Sequence, residues 1–167
     1  AKELILNGLA PMGEEYVGLL KEGFESRWID VQENKGKRSG AYSSGAYGTN
    51  PYILMNWQDN VNNLFTLAHE LGHSLHSHYT RKSQPYAYGN YSIFVAEVAS
   101  TCNEALLNDY LLKSINDEQK RLYLLNHYLE GFRGTVFRQT MFAEFEHLIH
   151  QQVQNNQALT ADSLTKD

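Results

Sequence analysis

Apolar residues recur at the spacing of an α-helix over four stretches of the chain. These stretches are residues 12–26, 61–79, 93–113 and 117–155. Asp59 or Asn60 and then Ser92 stand where helix N-caps are expected. Gly131 and Gly134 predict a break or a kink in the last stretch.

Two shorter runs, residues 28–31 and 51–57, have the aromatic and β-branched content of strands. The segment between them is polar at 33–40 and rich in small residues and tyrosine at 41–48. The whole pattern predicts a mainly α-helical fold with a small β-sheet, an α+β arrangement.

In the second helical stretch, one stripe of apolar residues should face the core. The stripe consists of Val61, Leu64, Phe65, Ala68, Leu71, Gly72 and Leu75. His69, Glu70, His73 and His76 project from the neighbouring sector. We therefore expect this helix to bury one side and to present the adjoining side to a cleft.

His69, Glu70 and His73 form an H-E-x-x-H pentapeptide within this helix. Residues four apart share a helix face, so both imidazoles can bind one metal ion. Glu70 can lie beside the metal without binding it and act as a base toward water. The pentapeptide alone is only moderately specific, and the alternative is a surface helix with an incidental histidine pair.

A zinc site of this type needs a third protein ligand, and Glu97 on the next helical stretch is the candidate. Two histidines and one carboxylate leave a fourth position for water. Glu104 lies two turns beyond Glu97 on the same face, and we expect it to accept a hydrogen bond from a ligating histidine. A solvated helix carboxylate is the alternative for Glu104.

The apolar face of the 93–113 helix is predicted to be its buried face. Its members are Val95, Val98, Ala99, Cys102, Leu106 and Tyr110.

The bulk composition narrows the class of protein. The chain has 167 residues, a formal net charge of −5 and 42% hydrophobic residues. The absence of a basic stripe argues against nucleic acid as a partner, and no apolar run is long enough to suggest a membrane span. Cys102 is the single cysteine, which favours a reducing compartment.

Gly45, Ala46 and Tyr47 are candidate substrate-binding residues. A strand edge in this segment could pair with a peptide by β-augmentation. Packing is the commoner role for the tyrosines of this region.

The sequence resembles the M3 family of zinc metallopeptidases, most closely its oligopeptidase F branch. The resemblance rests on residues 36–42, 67–76, 94–104 and 123–133. It implies one Zn²⁺ per chain held by His69, His73 and Glu97, with Glu70 as the catalytic acid and base. It also implies a zincin-like catalytic domain, short-peptide substrates in a deep channel and, for bacterial members, a cytoplasmic location.

The family supplies further histidine and tyrosine groups from a segment downstream of the third ligand, and residues 1–167 do not include it. We therefore expect residues 1–167 to be the central part of a catalytic domain, truncated at both ends, whose partner is the remainder of its own polypeptide. There are three alternatives to a peptidase. They are a zinc-binding fragment without turnover, a structural protein whose H-E-x-x-H binds no metal, and a zinc hydrolase that acts on another amide.

Overall fold

The computed structural model of the chain describes residues 1–165. Its helices are α1 (Lys2–Gly8), α2 (Glu14–Glu25), α3 (Val61–Ser83), α4 (Ile93–Ser114), α5 (Glu118–Phe132), α6 (Arg138–Gln154) and α7 (Ala161–Leu164). Its strands are β1 (Ile29–Asp30), β2 (Tyr42–Ser44) and β3 (Tyr52–Leu54). The predicted mainly α-helical fold with a small sheet is confirmed, although α1 was not predicted.

The chain divides into two compact units, one of residues up to Asn116 and one from Asp117 onward. The first unit contains the sheet and α1 to α4, and the second contains α5 to α7. All the residues predicted to form the metal site belong to the first unit.

The sheet has the order β1-β3-β2. β1 runs parallel to the central strand, with Ile29 opposite Ile53, whereas β2 is antiparallel to it, with Ser43 opposite Ile53. Ile53 is buried, as is Trp28 just before β1, so one face of the sheet packs into the core. β2 is an edge strand, which leaves the backbone groups on its outer side free to meet other parts of the chain.

α3 begins where the sequence predicted, because the side chain of Asn60 accepts a hydrogen bond from the backbone N–H of Asn63. Leu64, Phe65, Ala68, Leu71, Gly72 and Leu75 of the predicted stripe are buried. α3 therefore forms the centre of the first unit.

α3 and α4 pack closely at Gly72. A Cβ atom on Gly72 would lie 2.6 Å from the Cα atom of Ser100 and 2.8 Å from the carbonyl oxygen of Ala99. A side chain of any size would therefore push the two backbones apart. The small residues Gly72 and Ser100 allow this approach.

The predicted buried face of α4 was wrong. Val95, Val98 and Cys102 are exposed. The buried residues of α4 are instead Ala96, Ser100, Asn103, Leu107, Asn108 and Leu111. The reason is steric: at the crossing with Gly72, only the face with small side chains can come close enough to α3.

Asn103 makes the polar part of this packing specific. It is fully buried, its Oδ1 accepts a hydrogen bond from the Tyr16 hydroxyl at 2.9 Å, and its Nδ2 donates to the Ala68 carbonyl at 3.0 Å. The amide thus ties α2, α3 and α4 together one residue before His69. A buried polar side chain with both groups paired fixes the register of the helices without leaving an unsatisfied atom.

In the second unit, the helical pattern continues through the predicted break. Gly131 lies within α5, and Gly134 lies in a π-helical segment, Arg133–Phe137, that connects α5 to α6. Thr160 caps α7, and its side chain accepts a hydrogen bond from the backbone N–H of Ser163. Within residues 1–165, none of the helices is both long enough and apolar enough to cross a membrane.

We predict that Gly72→Ala destabilises the chain. The new methyl group would contact backbone atoms of Ala99 and Ser100 that cannot turn aside. Overpacking of this kind costs about 1–3 kcal/mol. This cost outweighs the gain of about 1 kcal/mol in helix propensity from Ala, because the contacted atoms belong to the backbone of α4. Urea unfolding followed by circular dichroism would measure the change.

Gly18→Ala in α2 is the matched control, since a Cβ atom there would meet nothing within 4 Å. It should stabilise the chain by about 0.5–1 kcal/mol through helix propensity alone. Equal stabilisation by both substitutions would show that the α3–α4 approach is not tight.

Candidate metal centre

α3 brings His69 and His73 together, one turn apart on the same face. The Nε2 atoms of the two imidazoles lie 3.1 Å apart, and the rings meet edge to face with centroids separated by 4.7 Å. Both side chains are partly buried, at 26% and 19% exposure. Two nitrogens so close together would repel as protonated groups, so the arrangement suits neutral imidazoles that share one cation.

Glu97 of α4 completes the group. Its Oε2 atom lies 3.2 Å from His69 Nε2 and 3.5 Å from His73 Nε2. Among the described residues, these three side chains form the set of histidine, cysteine and acidic groups whose donor atoms lie close enough to hold a metal, all within 4.8 Å of one another.

The spacing of the three donor atoms fits zinc. With bonds of about 2.0–2.1 Å in a tetrahedron, neighbouring ligand atoms lie about 3.3–3.4 Å apart. The three separations in the structure, 3.1, 3.2 and 3.5 Å, bracket that value. Two imidazole nitrogens and one carboxylate oxygen are also the donor types that zinc prefers, and they leave a fourth position open.

Glu104, two turns further along α4, contacts the opposite nitrogen of the first histidine. Its Oε1 atom lies 2.5 Å from His69 Nδ1. Because a carboxylate can only accept, the Nδ1 atom carries the proton and the Nε2 atom keeps its lone pair for a metal. Burial lowers the pKa of His69, but the hydrogen bond and charge of Glu104, with the charges of Glu70 and Glu97, outweigh burial and raise that pKa above its ordinary value.

Glu70 is buried, with 7% of its surface exposed. Burial raises the pKa of its carboxyl, and the charges of Glu97 and Glu104 add to this, while His69 and a hydrogen bond from the backbone N–H of Ser43 act in the opposite direction. A carboxyl whose pKa is raised takes up a proton more readily than an ordinary one, which suits a general base. Glu70 therefore has the environment of a proton carrier.

The edge strand β2 supplies the hydrogen bond to Glu70. The Ser43 and Ser74 hydroxyls lie 2.8 Å apart and join β2 to α3, and Ser74 is fully buried. This contact holds the outer edge of β2 beside the H-E-x-x-H turn. Sequence patterns did not indicate Ser43, because its proximity to Glu70 depends on the packing of a strand against a helix.

His76 is not part of the donor triangle, which consists of His69 Nε2, His73 Nε2 and Glu97 Oε2. Its ring stacks on Tyr91 with centroids 3.7 Å apart, and the Tyr91 hydroxyl lies 3.0 Å from that of Ser77. Burial and the neighbouring His73 lower the pKa of His76. The contacts give this histidine a packing role.

Gly45, Ala46 and Tyr47 lie at the far end of α3 from the two histidines. The Gly45 carbonyl accepts a hydrogen bond from Arg81 at 2.9 Å, and the Tyr47 hydroxyl donates to the Gln84 carbonyl at 2.9 Å. The Ala46 N–H donates to the hydroxyl of Thr49 at 3.0 Å. These groups are paired within the chain, and their role in binding a substrate stays a prediction.

A polar groove of about 530 Å³ lies along the first half of α3. The side chains that line it include Lys37, Asn56, Asn63 and Thr66. Thr66 precedes Glu70 by one turn on the same face of α3, but Glu70 and the three candidate ligands do not line the groove.

The sequence is similar to bacterial oligopeptidases over nearly its whole length. Oligopeptidase PepF of Bacillus subtilis is 74% identical over 165 residues, which are 99% of this chain and 25% of that protein. Group B oligopeptidase PepB of Streptococcus agalactiae is 59% identical over 156 residues, which are 93% of this chain and 26% of that protein. The chain thus spans about a quarter of the length of these curated relatives.

Solved structures share the fold. A crystal structure of oligoendopeptidase-F from Enterococcus faecium is 37% identical, with a TM-score of 0.58, and the match covers 97% of this chain and 21% of that chain. A Chlamydophila abortus structure is 43% identical with a TM-score of 0.83, over 95% of this chain and 27% of that chain.

The sequence model of peptidase family M3 matches residues 6–167, nearly the whole sequence. The relatives agree with that match, and the resemblance to the family seen in the sequence is confirmed. The chain belongs to peptidase family M3.

Proposed function

We propose that this chain carries the metal centre of a zinc-dependent endopeptidase that hydrolyses peptide bonds in short peptides. The observation that supports this most directly is the triangle of His69 Nε2, His73 Nε2 and Glu97 Oε2. The buried residue Glu70 follows His69 directly in the sequence. Family membership and the names of the oligopeptidase relatives agree with this function. In this function, residues 1–167 would be the central part of a larger catalytic domain.

His69, His73 and Glu97 would hold the ion, and Glu104 would fix the tautomer of His69. When bound, a zinc ion supplies Lewis acidity: it makes water more acidic and offsets negative charge on a carbonyl oxygen. Glu70 takes a proton from water as that water adds to the peptide carbonyl carbon. Glu70 then gives the proton to the amine nitrogen as the carbon–nitrogen bond breaks.

The peptide would bind along the outer edge of β2. The backbone N–H of Ser43 reaches Glu70 from this edge, so a peptide paired with the strand would pass close to the proton carrier. Gly45, Ala46 and Tyr47 continue the same segment and are proposed to extend this contact. Because the Gly45 carbonyl is held by Arg81, pairing there would require that hydrogen bond to be exchanged.

The second candidate function is zinc binding without turnover. The observation that favours it is that the chain corresponds to only about a quarter of the length of its relatives. The resemblance to bacterial members of the family also leads us to propose a cytoplasmic location.

Glu70→Gln should separate the two functions. The amide cannot accept the proton, so hydrolysis of a quenched fluorescent peptide should fall by about 10²–10⁴-fold, while zinc content measured by mass spectrometry stays unchanged. Removal of zinc with a chelator should abolish hydrolysis, and added zinc should restore it. A wild-type chain that binds zinc but shows no single-turnover cleavage would support the second candidate, and unchanged hydrolysis by the variant would exclude Glu70 as the proton carrier.

Glu104→Gln should weaken zinc binding without abolishing it. The amide is neutral and no longer stabilises the His69 tautomer by charge. Loss of such a hydrogen-bond partner of a metal-ligating histidine typically costs about 10–100-fold in metal affinity. Competition with a chelating dye would measure the dissociation constant. Glu118→Gln, in the second unit, is the control, and an equal loss in both variants would argue against a specific role for Glu104.

A further inference from the structure

Ser100 lies at the point where α3 and α4 come closest. It is fully buried, and its Cα atom would be 2.6 Å from a Cβ atom on Gly72. A side chain in this position has little freedom, because the backbones on both sides are fixed by helical hydrogen bonds. The Ser100 hydroxyl is therefore a rigid donor.

This hydroxyl faces the third candidate ligand. The Ser100 Oγ atom donates to Glu97 Oε2 at 2.7 Å and also lies 3.1 Å from the Glu97 backbone carbonyl. The Oε2 atom is the same oxygen that lies 3.2 Å from His69 Nε2 and 3.5 Å from His73 Nε2. One carboxylate oxygen thus meets both the buried hydroxyl and the two imidazoles.

The Glu97 side chain itself is 61% exposed. An exposed glutamate ordinarily samples several rotamers, and holding it in one costs conformational entropy. If the buried Ser100 hydroxyl orients the Glu97 carboxylate toward the histidines, no contact on the exposed side of Glu97 is required. The second lone pair of the same oxygen remains available to a cation.

We propose that Ser100 is a positioning residue that holds the Glu97 carboxylate in its metal-binding orientation before the metal arrives. This inference rests on the metal site of the proposed function. It assigns to the α3–α4 crossing a second role, since the close approach that Gly72 permits is also what buries and fixes the donor.

Ser100→Ala tests the proposal, because it removes only the hydroxyl and keeps the Cβ atom. We expect the dissociation constant for zinc, measured by competition with a chelating dye, to rise by about 10–100-fold. The thermal unfolding temperature of the zinc-free chain should stay close to that of the wild type, since the exposed carboxylate can turn to water.

Thr101→Val is the matched control. The Thr101 hydroxyl donates to the Glu97 backbone carbonyl at 2.5 Å, so the variant loses a hydrogen bond of the same kind from the neighbouring residue. Its zinc affinity should remain that of the wild type. An equal loss of affinity in both variants would overturn the proposal and indicate a general effect on α4.

Cobalt provides a readout that a purely structural role would not change. The visible absorption bands of bound Co²⁺ depend on the position of each ligand, so Ser100→Ala should shift or weaken them, and Thr101→Val should leave them unaltered. Unchanged bands in Ser100→Ala would contradict a positioning role.

A double-mutant cycle removes any dependence on the stability of one variant. If Ser100 acts only through Glu97, Ser100→Ala should have no further effect on zinc affinity in a Glu97→Ala chain. A further loss in that background, or wild-type affinity in Ser100→Ala alone, would exclude the proposal. Failure of the wild-type chain to bind zinc at all would instead count against the proposed function, which keeps the two results distinct.

Discussion

The close approach of α3 and α4 at Gly72 is the constraint on which the candidate site depends. The two helices carry different parts of it: the histidines and Glu70 lie on α3, and Glu97 and Glu104 lie on α4. A Cβ atom on Gly72 would force the backbones apart. Because the donor triangle has sides of 3.1 to 3.5 Å, even a small separation would remove Glu97 from the reach of the imidazoles.

The electrostatics of the site depend on the same packing. Three carboxylates surround His69, and together with the Glu104 hydrogen bond they raise its pKa despite burial. Glu70 is the buried member of this group, and burial raises the pKa of its carboxyl above the ordinary value for a glutamate. Excess negative charge in a partly buried site is stabilised by a bound cation, so the arrangement of acids favours a divalent metal.

The interface between the helices is polar where it supports the site. Asn103 joins Tyr16 to the carbonyl of Ala68, and Ser74 joins α3 to β2 through Ser43. Each of these buried groups has a partner, so they fix the relative positions of the elements at little cost in desolvation. Asn103 contacts the carbonyl of Ala68, one residue before His69, and Ser74 follows His73 by one residue, so these contacts bracket the two histidines along α3.

Local sequence was sufficient to predict the helices that carry the site. The spacing of apolar residues and the caps Asn60 and Ser92 gave α3 and α4, since these signals act within a few residues. The i, i+4 spacing of His69 and His73 was readable for the same reason, and Glu97 was chosen as a glutamate on the following helix. The distance from Glu97 to the histidines could not be predicted from spacing, because it depends on how two separate helices pack against each other.

Only the tertiary structure decided which face of α4 is buried. Hydrophobicity predicted Val95, Val98 and Cys102, but these residues are exposed, and the helix instead packs through Ala96, Ser100 and Asn103. Hydrophobicity measures what a side chain gains from leaving water, not whether two backbones can approach. The sequence thus determined the chemistry of the site, and packing at Gly72 determined its geometry, because steric fit between helices depends on both partners at once.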